Sequence, residues 1–297
     1  MSDDRPAAGE CIWLEPGLRR VIAPNPSPMT HWGTNSYLVG EGVVALIDPG
    51  PMLPAHAAAL LAALRPGERI SHIIVTHAHL DHSPLAAVLA AATGAEVLAY
   101  GPAQAGRSAV MACVADVGGG EGVDAAFNPH RALPDGAMVE GPGWALEAIH
   151  TPGHFGNHIC LGWGDRCFTG DHVMGWASSL VSPPDGDMSA YMASLARLMT
   201  RNWQVFHPGH GAPVSFPAVR LAELTTHRNA REAAILGALA AAPATLHGLT
   251  TALYTATEPA LLSAASRNVF AHLIDLAARN RISATPTLSP SARFALV

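Results

Sequence analysis

The chain has 297 residues and a formal net charge of −6 at pH 7, with 49% hydrophobic and 13% charged residues. A chain of this length and composition folds around a large core, as one domain or as a domain with a small appendage, and is not intrinsically disordered. The acidic balance lacks the basic surplus of a nonspecific nucleic-acid binder, so extended duplex binding is disfavoured.

The cysteines and the N-terminal segment indicate the compartment. The four cysteines form no CxxC pair, which argues against a zinc knuckle, and Cys160 and Cys167 lie in apolar runs typical of core residues. The N-terminal segment is acidic and lacks the apolar centre of a signal peptide, and no run of about 18 apolar residues suggests a membrane span. We therefore expect a cytoplasmic protein with reduced thiols and no membrane association.

Strands and helices alternate over the first third of the chain. Apolar runs at 36–40 and 43–48 predict two strands that are joined by a turn. Residues 54–67 predict a helix that ends at Pro66-Gly67, and the β-branched run 70–77 predicts a buried strand.

A second helix is predicted directly after this buried strand. It covers 83–94, with Ser83 as its N-cap, Pro84 in its first turn and Gly94 at its end, and a strand follows at 95–100. The intervening stretch VTHAHLDHS, residues 75–83, therefore lies on the loop between a strand end and a helix start.

The middle of the chain is less regular at first and then returns to strands. Residues 101–143 include a Gly-rich stretch at 117–126, which predicts a loop. Further strands are predicted within 144–173, followed by a helix at 187–200 that is capped by Asp187.

The C-terminal third predicts a small second domain. A strand at 203–211 ends in a turn, and residues 216–240 predict one long helix. Two helical stretches, 246–254 and 259–279, and a β-type tail then suggest a winged-helix-like appendage. The predicted organisation is a catalytic domain at 1–215, a connecting helix at 216–240 and a C-terminal domain at 241–297.

Histidines and aspartates recur where strands end. Besides HAHLDH, the motifs are TPGH ending at His154, FTGDH with Asp171, HPGHG with His210 and the loop around Asp48. Strand ends are where a rigid scaffold presents functional groups, and proline and glycine make tight turns that can aim one side chain inward.

These residues match the needs of a binuclear metal site. Zinc binds imidazole nitrogens at about 2.0–2.1 Å and carboxylate oxygens at about 2.0–2.2 Å. Two ions about 3.5–4 Å apart can share a bridging carboxylate and a bridging water. The sequence offers a set of candidate ligands: His77, His79, Asp81, His82, His154, Asp171 and His210. We therefore predict two divalent metal ions, Zn²⁺ first and iron or manganese as alternatives.

In this order, THAHLDH, TPGH, TGDH and PGHG resemble the metallo-β-lactamase superfamily over about residues 11–215. The resemblance implies an α/β fold, a four-layer αββα sandwich with metals at the sheet edges. It assigns the side chains to two ions and a bridge. The first ion is held by His77, His79 and His154, the second by Asp81, His82 and His210, and Asp171 bridges them. Asp48 and His172 take supporting roles.

A narrower resemblance is to glyoxalase II and to the lactamase-β-like endoribonucleases, which join the hydrolase domain to a C-terminal winged-helix-like piece. The chain departs from that subgroup by its longer Gly-rich 117–126 loop, which would border the substrate cleft.

The expected reaction is hydrolysis of a small ester, thioester or lactone, because a paired metal site gives hydroxide at neutral pH. Asp81 and His210 are predicted to take part in catalysis, Asp81 by accepting a hydrogen bond from the reacting water. His227 and Arg228 on the long helix are either an anion clamp for a substrate carboxylate or phosphate, or part of a solvated helix face.

Two other functions remain open from the sequence. The winged-helix-like tail favours a nuclease that cuts single-stranded RNA, although 6% aromatic residues and the acidic charge do not. A mononuclear iron sulfur dioxygenase on the same scaffold is a further alternative. A small molecule is the expected partner, with RNA as the alternative, and the tail could instead cover the core or form a homodimer.

Overall fold

A computed structural model describes residues 6–114 and 118–297. The first residue of the predicted Gly-rich loop, residue 117, lies outside the described residues. The N-terminal part contains a seven-stranded sheet with strands in the order β1 to β7. These strands are Cys11–Glu15, Leu18–Ile22, Asn35–Val39, Val43–Ile47, Arg69–Ile74, Glu96–Ala99 and Arg131–Ala132. Pairing is antiparallel from β1 to β4 and parallel from β4 to β7.

A five-stranded sheet faces the first one. Its strands, β8 to β12, are Met138–Gly141, Trp144–His150, Ile159–Trp163, Arg166–Gly170 and Val205–Pro208. They are antiparallel except for the β11–β12 pair. Side chains of both sheets, such as Tyr37, Ile74, Leu146 and Phe168, meet in one buried apolar cluster, because alternate residues of each strand point to the same face.

Helices cover the outer faces of both sheets. On the first sheet lie α1 (Pro54–Ala62) and α2 (Leu85–Thr93), and a short helix α3 spans Ala109–Cys113. On the second sheet lie α4 (Met188–Leu198) and the first half of α5 (Pro217–Ala241). The layers therefore follow the order helix, sheet, sheet, helix, and the predicted αββα sandwich is confirmed.

The C-terminal part is a separate winged-helix unit, as predicted. It consists of α6 (Leu246–Leu253), a 3₁₀ turn (Pro259–Leu261) and α7 (Leu262–Ala278). Three short strands accompany these helices: β13 (Ala244–Thr245), β14 (Ile282–Thr285) and β15 (Arg293–Leu296). The end of α5 packs into the apolar core of this unit through Ile235 and Leu239. Among the described residues, no helix has the length and apolar character needed to cross a bilayer.

Helix ends test the capping predictions. Asp187 caps α4 by accepting a hydrogen bond from the backbone N–H of Ala190 at 3.1 Å, and Gly94 ends α2 in the left-handed conformation with a φ of 73°. The predicted Ser83 cap is wrong. The Ser83 hydroxyl donates instead to Asp124 Oδ2 at 2.7 Å, so it joins the metal-motif loop to the segment that covers it.

Candidate metal centre

Asp48 holds the HAHLDH loop at the end of β5. Its carboxylate is buried and accepts hydrogen bonds from the backbone N–H of Thr76 at 2.7 Å, from Thr76 Oγ1 at 2.8 Å and from His82 Nδ1 at 2.9 Å. The bond from Nδ1 fixes the orientation of the His82 ring and turns Nε2 toward the centre. A carboxylate that accepts from the outer nitrogen of a metal-binding histidine is a common arrangement, because it orients the ring and increases its basicity.

The backbone of Asp48 is itself supported from beneath, by residues that the sequence analysis did not identify. Ser36 Oγ donates to the carbonyl oxygen of Asp48 at 2.5 Å, so it accepts the 2.8 Å hydrogen bond from His56 Nε2. Burial lowers the pKa of His56 to about 4, which keeps the ring neutral. Gly50 has a φ of 91°, and a Cβ there would lie 2.8 Å from His56 Cδ2, so only glycine fits above this ring.

The first predicted ligand group converges tightly. His79 Nδ1 lies 2.9 Å from His77 Nε2 and 3.1 Å from His154 Nε2. The outer nitrogens of two of these rings have other partners: His154 Nδ1 donates to the carbonyl oxygen of Leu180 at 2.6 Å, and His77 Nδ1 lies 3.0 Å from Thr76 Oγ1. Three imidazole nitrogens therefore face one point.

The second group lies beside the first. His210 Nε2 is 3.3 Å from His82 Nε2 and 3.2 Å from Asp81 Oδ2. Asp171 lies between the two groups, with Oδ2 3.8 Å from His154 Nε2 and 3.3 Å from His210 Nε2, and Oδ1 3.4 Å from His82 Nε2. The structure thus brings all seven predicted side chains together, in three overlapping triads whose ligand atoms lie within 4.8 Å of one another.

The two groups differ in charge. Burial lowers the pKa of His79 to about 3 and also lowers the pKa values of His77 and His154, so these three rings are neutral and each has one nitrogen with a lone pair. For His210, burial acts in the same direction but is outweighed by the Asp171 carboxylate, which raises its pKa to about 9. The carboxylates therefore draw positive charge into the second group.

This donor set fits divalent cations. Asp171 Oδ1 is buried and accepts no well-aligned hydrogen bond among the described residues, its contact being His82 Nε2 at 3.4 Å. A buried carboxylate oxygen without a hydrogen bond is costly. Gly209 leaves room at this oxygen, since a Cβ there would lie 2.4 Å from Asp171 Oδ1 and 2.8 Å from His82 Cε1. Neutral imidazoles and carboxylates are the nitrogen and oxygen ligands that zinc prefers. A cation at the first group would accept the lone pairs of the three imidazoles. A cation at the second group would balance the negative charge of the Asp81 and Asp171 carboxylates.

His172 is fully buried directly after Asp171. Its ring packs against Tyr191 and His158, with ring centroids 4.7 and 5.8 Å apart, and burial lowers its pKa to about 3. Within the described part of the chain, neither of its ring nitrogens has a hydrogen-bond partner. Its supporting role stays a prediction.

The burial of Arg228 decides against one of the two interpretations of the long helix. It is only 2% exposed, so a solvated helix face is wrong for this residue. Its Nη1 donates to Asn268 Oδ1 at 3.1 Å and its Nη2 donates to the carbonyl oxygen of Ser179, so the guanidinium connects α5 to α7 and to the loop beside the centre. His227 is exposed at the surface of α5 and lines the same cavity as Arg228. A substrate contact of either residue stays a prediction.

Two cavities open on the centre, and His154 and Leu180 border both. The interdomain cavity, about 280 Å³ in volume, reaches from His154 and Asp171 to Tyr254 and Leu261 of the winged-helix unit. The polar cleft, about 250 Å³, is lined by charged and hydroxyl side chains: Glu121, Ser182, Asp185, Ser263 and Arg267. The described part of the Gly-rich loop, through Gly120 and Glu121, therefore borders a cleft at the centre, and binding of substrate in this cleft stays a prediction.

Comparison with known proteins follows the same division of the chain. Residues 29–210 match the family description "Metallo-beta-lactamase superfamily", and residues 245–287 match "Beta-lactamase associated winged helix domain". "Lactamase-like protein adaB" of Aspergillus niger is 32% identical over 228 residues, which cover 75% of this chain and 63% of that protein. "Atrochrysone carboxyl ACP thioesterase dmxR1" of Cryptosporiopsis sp. is 29% identical over 230 residues, 76% of this chain and 64% of that protein. The chain therefore spans less than two thirds of the length of these curated relatives.

A solved structure described as a beta-lactamase domain protein from Burkholderia ambifaria is similar over the whole chain. It superposes with a TM-score of 0.82 and covers 100% of this chain and 96% of that chain, at 23% sequence identity. At this identity the likeness shows the fold alone, and the endoribonuclease or glyoxalase II subgroup stays a prediction. The family match over 29–210, with the fold described above, shows that the chain belongs to the metallo-β-lactamase superfamily.

Proposed function

We propose that this chain is a dinuclear, metal-dependent hydrolase that cleaves a thioester. The observation that carries the proposal is the arrangement of three histidines on one side and Asp81, His82 and His210 on the other, with Asp171 between them. Zinc is the proposed metal because all donors are imidazole nitrogens or carboxylate oxygens. When bound, a pair of divalent cations lowers the pKa of a water and polarises the substrate carbonyl.

The thioester is proposed from two considerations. One relative bears the name of an acyl carrier protein thioesterase, although this chain spans only 64% of its length. The second consideration is chemical. A thiol has a pKa of about 8.5, so a thiolate leaves without first receiving a proton. This suits a centre whose histidines are engaged as ligands and not as proton donors.

Within the proposed reaction, Asp81 has a role besides binding metal. Its side chain is 27% exposed, compared with 10% for Asp171 and 1% for His210, so solvent reaches it. Asp81 accepts a hydrogen bond from the attacking water and thereby orients the lone pair toward the carbonyl carbon. His210 Nε2 lies 3.2 Å from Asp81 Oδ2, so the two side chains would bind the same cation, which would hold the carboxylate in place.

A substrate panel on zinc-loaded protein tests the proposal. Ester, thioester, lactone, β-lactam and single-stranded RNA substrates are compared at equal protein concentration, with the chelated protein as a blank. Preferred turnover of thioesters and about two zinc ions per chain support the proposal. One iron per chain with oxygen consumption contradicts the proposal and favours a sulfur dioxygenase. Cleavage of RNA alone contradicts it and favours an endoribonuclease.

Variants link turnover to the centre. We expect His79→Ala and Asp171→Asn to lose bound metal and thioester turnover together, because each removes a predicted ligand. His247→Ala, an exposed histidine on α6, is the matched control and should retain both. Full turnover in either ligand variant would contradict the assignment.

A further inference from the structure

We propose that the interdomain cavity is the acyl site of the thioesterase, and that the winged-helix unit selects a bulky, largely apolar acyl group by forming its far wall. This inference rests on the proposed function and extends it to the substrate class. It also gives the C-terminal unit a task in substrate selection that does not involve nucleic acid.

The cavity begins at the reacting centre. His154, which belongs to the first ligand group, and Asp171, which lies between the two ligand groups, form its inner end. A group that extends from a carbonyl carbon held at these residues therefore enters this cavity or the polar cleft on the other side of His154.

The apolar part of the cavity lining suits an apolar group. Met29, Met174, Trp176 and Leu180 form it on the catalytic-domain side, while Arg228 and Asn268 add polar groups to the lining. Thioether and aromatic side chains provide large contact areas that adapt to flat or irregular apolar groups. With a volume of about 280 Å³, the cavity is near the lower end of small-molecule sites, which span roughly 300–1,000 Å³.

The far wall belongs entirely to the winged-helix unit. Tyr254, Leu261 of the 3₁₀ turn, and Ala264, Ala265 and Asn268 of α7 line the cavity. A larger side chain at Leu261 or at either alanine would reduce the volume of the cavity. Residues that limit the size of the cavity therefore lie in the C-terminal unit.

Contacts between the units hold this wall in place. The Arg231 guanidinium lies 4.1 Å from the centre of the Tyr254 ring, and its Nη1 donates to the carbonyl oxygen of Leu253 at 3.0 Å. Asn268 Oδ1 accepts from Arg228 Nη1 and from the backbone N–H of Val181, each at 3.1 Å. A wall fixed in this way discriminates by size, because it does not yield to larger groups.

The polar cleft suits the other half of the substrate. Its hydroxyl and charged side chains, including Ser182, Asp185 and Ser263, offer hydrogen bonds to a hydrophilic thiol arm. A thioester that crosses the centre can therefore place its apolar acyl group in the interdomain cavity and its polar thiol arm in the cleft. In the opposite orientation the acyl group would lie against Glu121 and Asp185 of the cleft and would not contact the Met29, Met174 and Trp176 side chains of the cavity.

A pair of thioesters of one thiol tests the acyl site. Acetyl and 2-naphthoyl thioesters of N-acetylcysteamine differ only in the group that the cavity would hold. Leu261→Trp fills the cavity from the winged-helix side, and Ala177→Phe fills it from the opposite wall. We expect each variant to lower kcat/KM for the naphthoyl thioester at least about tenfold and to leave the acetyl thioester within about threefold, because only the larger acyl group needs the filled volume.

Leu262→Trp is the matched control. Leu262 is the next residue in the chain, is 36% exposed and does not line the cavity, so the same substitution there should leave both thioesters unchanged. Binding of free 2-naphthoate to zinc-loaded protein, measured by calorimetry, gives a second readout that does not require turnover. Its Kd should rise about tenfold in Leu261→Trp and stay constant in Leu262→Trp.

The outcomes separate this inference from the proposed function. If the wild-type protein hydrolyses both thioesters and neither filling variant changes the naphthoyl-to-acetyl ratio, the inference is overturned while the thioesterase function stands. The same conclusion follows if Leu261→Trp and Leu262→Trp change the ratio equally. If the zinc-loaded wild-type protein hydrolyses neither thioester, the proposed function fails and the inference fails with it.

Discussion

Replacing Asp48 by asparagine should weaken metal binding in one half of the centre only. The Asp48 carboxylate accepts a hydrogen bond from His82 Nδ1 at 2.9 Å, and asparagine keeps the shape but presents either one oxygen or an NH₂ group. If its oxygen stays with the backbone N–H of Thr76, its NH₂ group faces the Nδ1–H of His82. That opposition of two donors favours the tautomer with a proton on Nε2, the atom that faces the metal site.

The magnitude follows from the number of contacts. Losing one buried partner costs about 1–3 kcal/mol in the free energy of unfolding, and losing the outer partner of a ligating histidine lowers metal affinity about 10–100-fold. The φ of 49° at Asp48 adds no strain in the variant, because asparagine adopts the left-handed region as readily as aspartate does.

Zinc titration of the chelated protein is the assay, with stoichiometry and affinity read by calorimetry. We expect Asp48→Asn to bind one zinc ion with wild-type affinity and the second one about 10–100-fold more weakly. Asp165→Asn, an exposed aspartate that pairs with Arg166, is the control. Two ions bound by Asp48→Asn with unchanged affinity would refute the reasoning, as would equal weakening of both.

Two further predictions concern the support around the centre. His56 has a pKa of about 4 in the fold and about 6.5 in the unfolded chain, so its contribution to stability is complete above pH 6.5 and is lost as the pH falls toward 4. In His56→Gln the free energy of unfolding in urea should therefore vary less with pH, by up to about 3 kcal/mol across this range. An unchanged pH dependence would count against a buried neutral ring. Gly209→Ala should lower zinc affinity, because its Cβ would lie 2.4 Å from Asp171 Oδ1. Gly237→Ala on α5 has no atom within 4 Å of its Cβ and should raise the free energy of unfolding by about 0.5–1 kcal/mol. Zinc titration and urea unfolding of both variants check this pair, and normal zinc affinity in Gly209→Ala would contradict the predicted clash.

The convergence of the seven candidate ligands has a local signal in the sequence. The motifs that carry them follow predicted strands, and the resemblance to the metallo-β-lactamase superfamily implies that these strand ends meet at one edge of the sandwich. The winged-helix unit could be predicted for the same reason, since two helices followed by short strands leave a visible periodicity in the sequence.

The support beneath the centre could not be predicted, because its contacts join residues that are distant in the sequence. Ser36 meets the carbonyl of Asp48 and the ring of His56, 12 and 20 positions away, and nothing in the surrounding alanines marks His56 as part of the site. Arg228 was similarly ambiguous. Its guanidinium contacts Ser179 and Asn268, which lie 49 residues before it and 40 residues after it, so no periodicity within α5 distinguishes it from a solvated residue.

Ser83 shows the opposite failure, a local rule that a distant contact overrides. Its position before Pro84 and an apolar helix suits an N-cap, but the hydroxyl binds Asp124, 41 positions away. The Ser83 hydroxyl therefore stabilises the contact with Asp124 and not the start of α2. This contact holds the loop that carries Asp124 against the metal motif.

Anomalous scattering from crystals of the zinc-loaded protein locates the metal ions themselves. We expect two peaks about 3.5–4 Å apart. One should lie among His77, His79 and His154, the other among Asp81, His82 and His210, with Asp171 in contact with both. A single peak, or two peaks that do not share Asp171, would contradict this expectation.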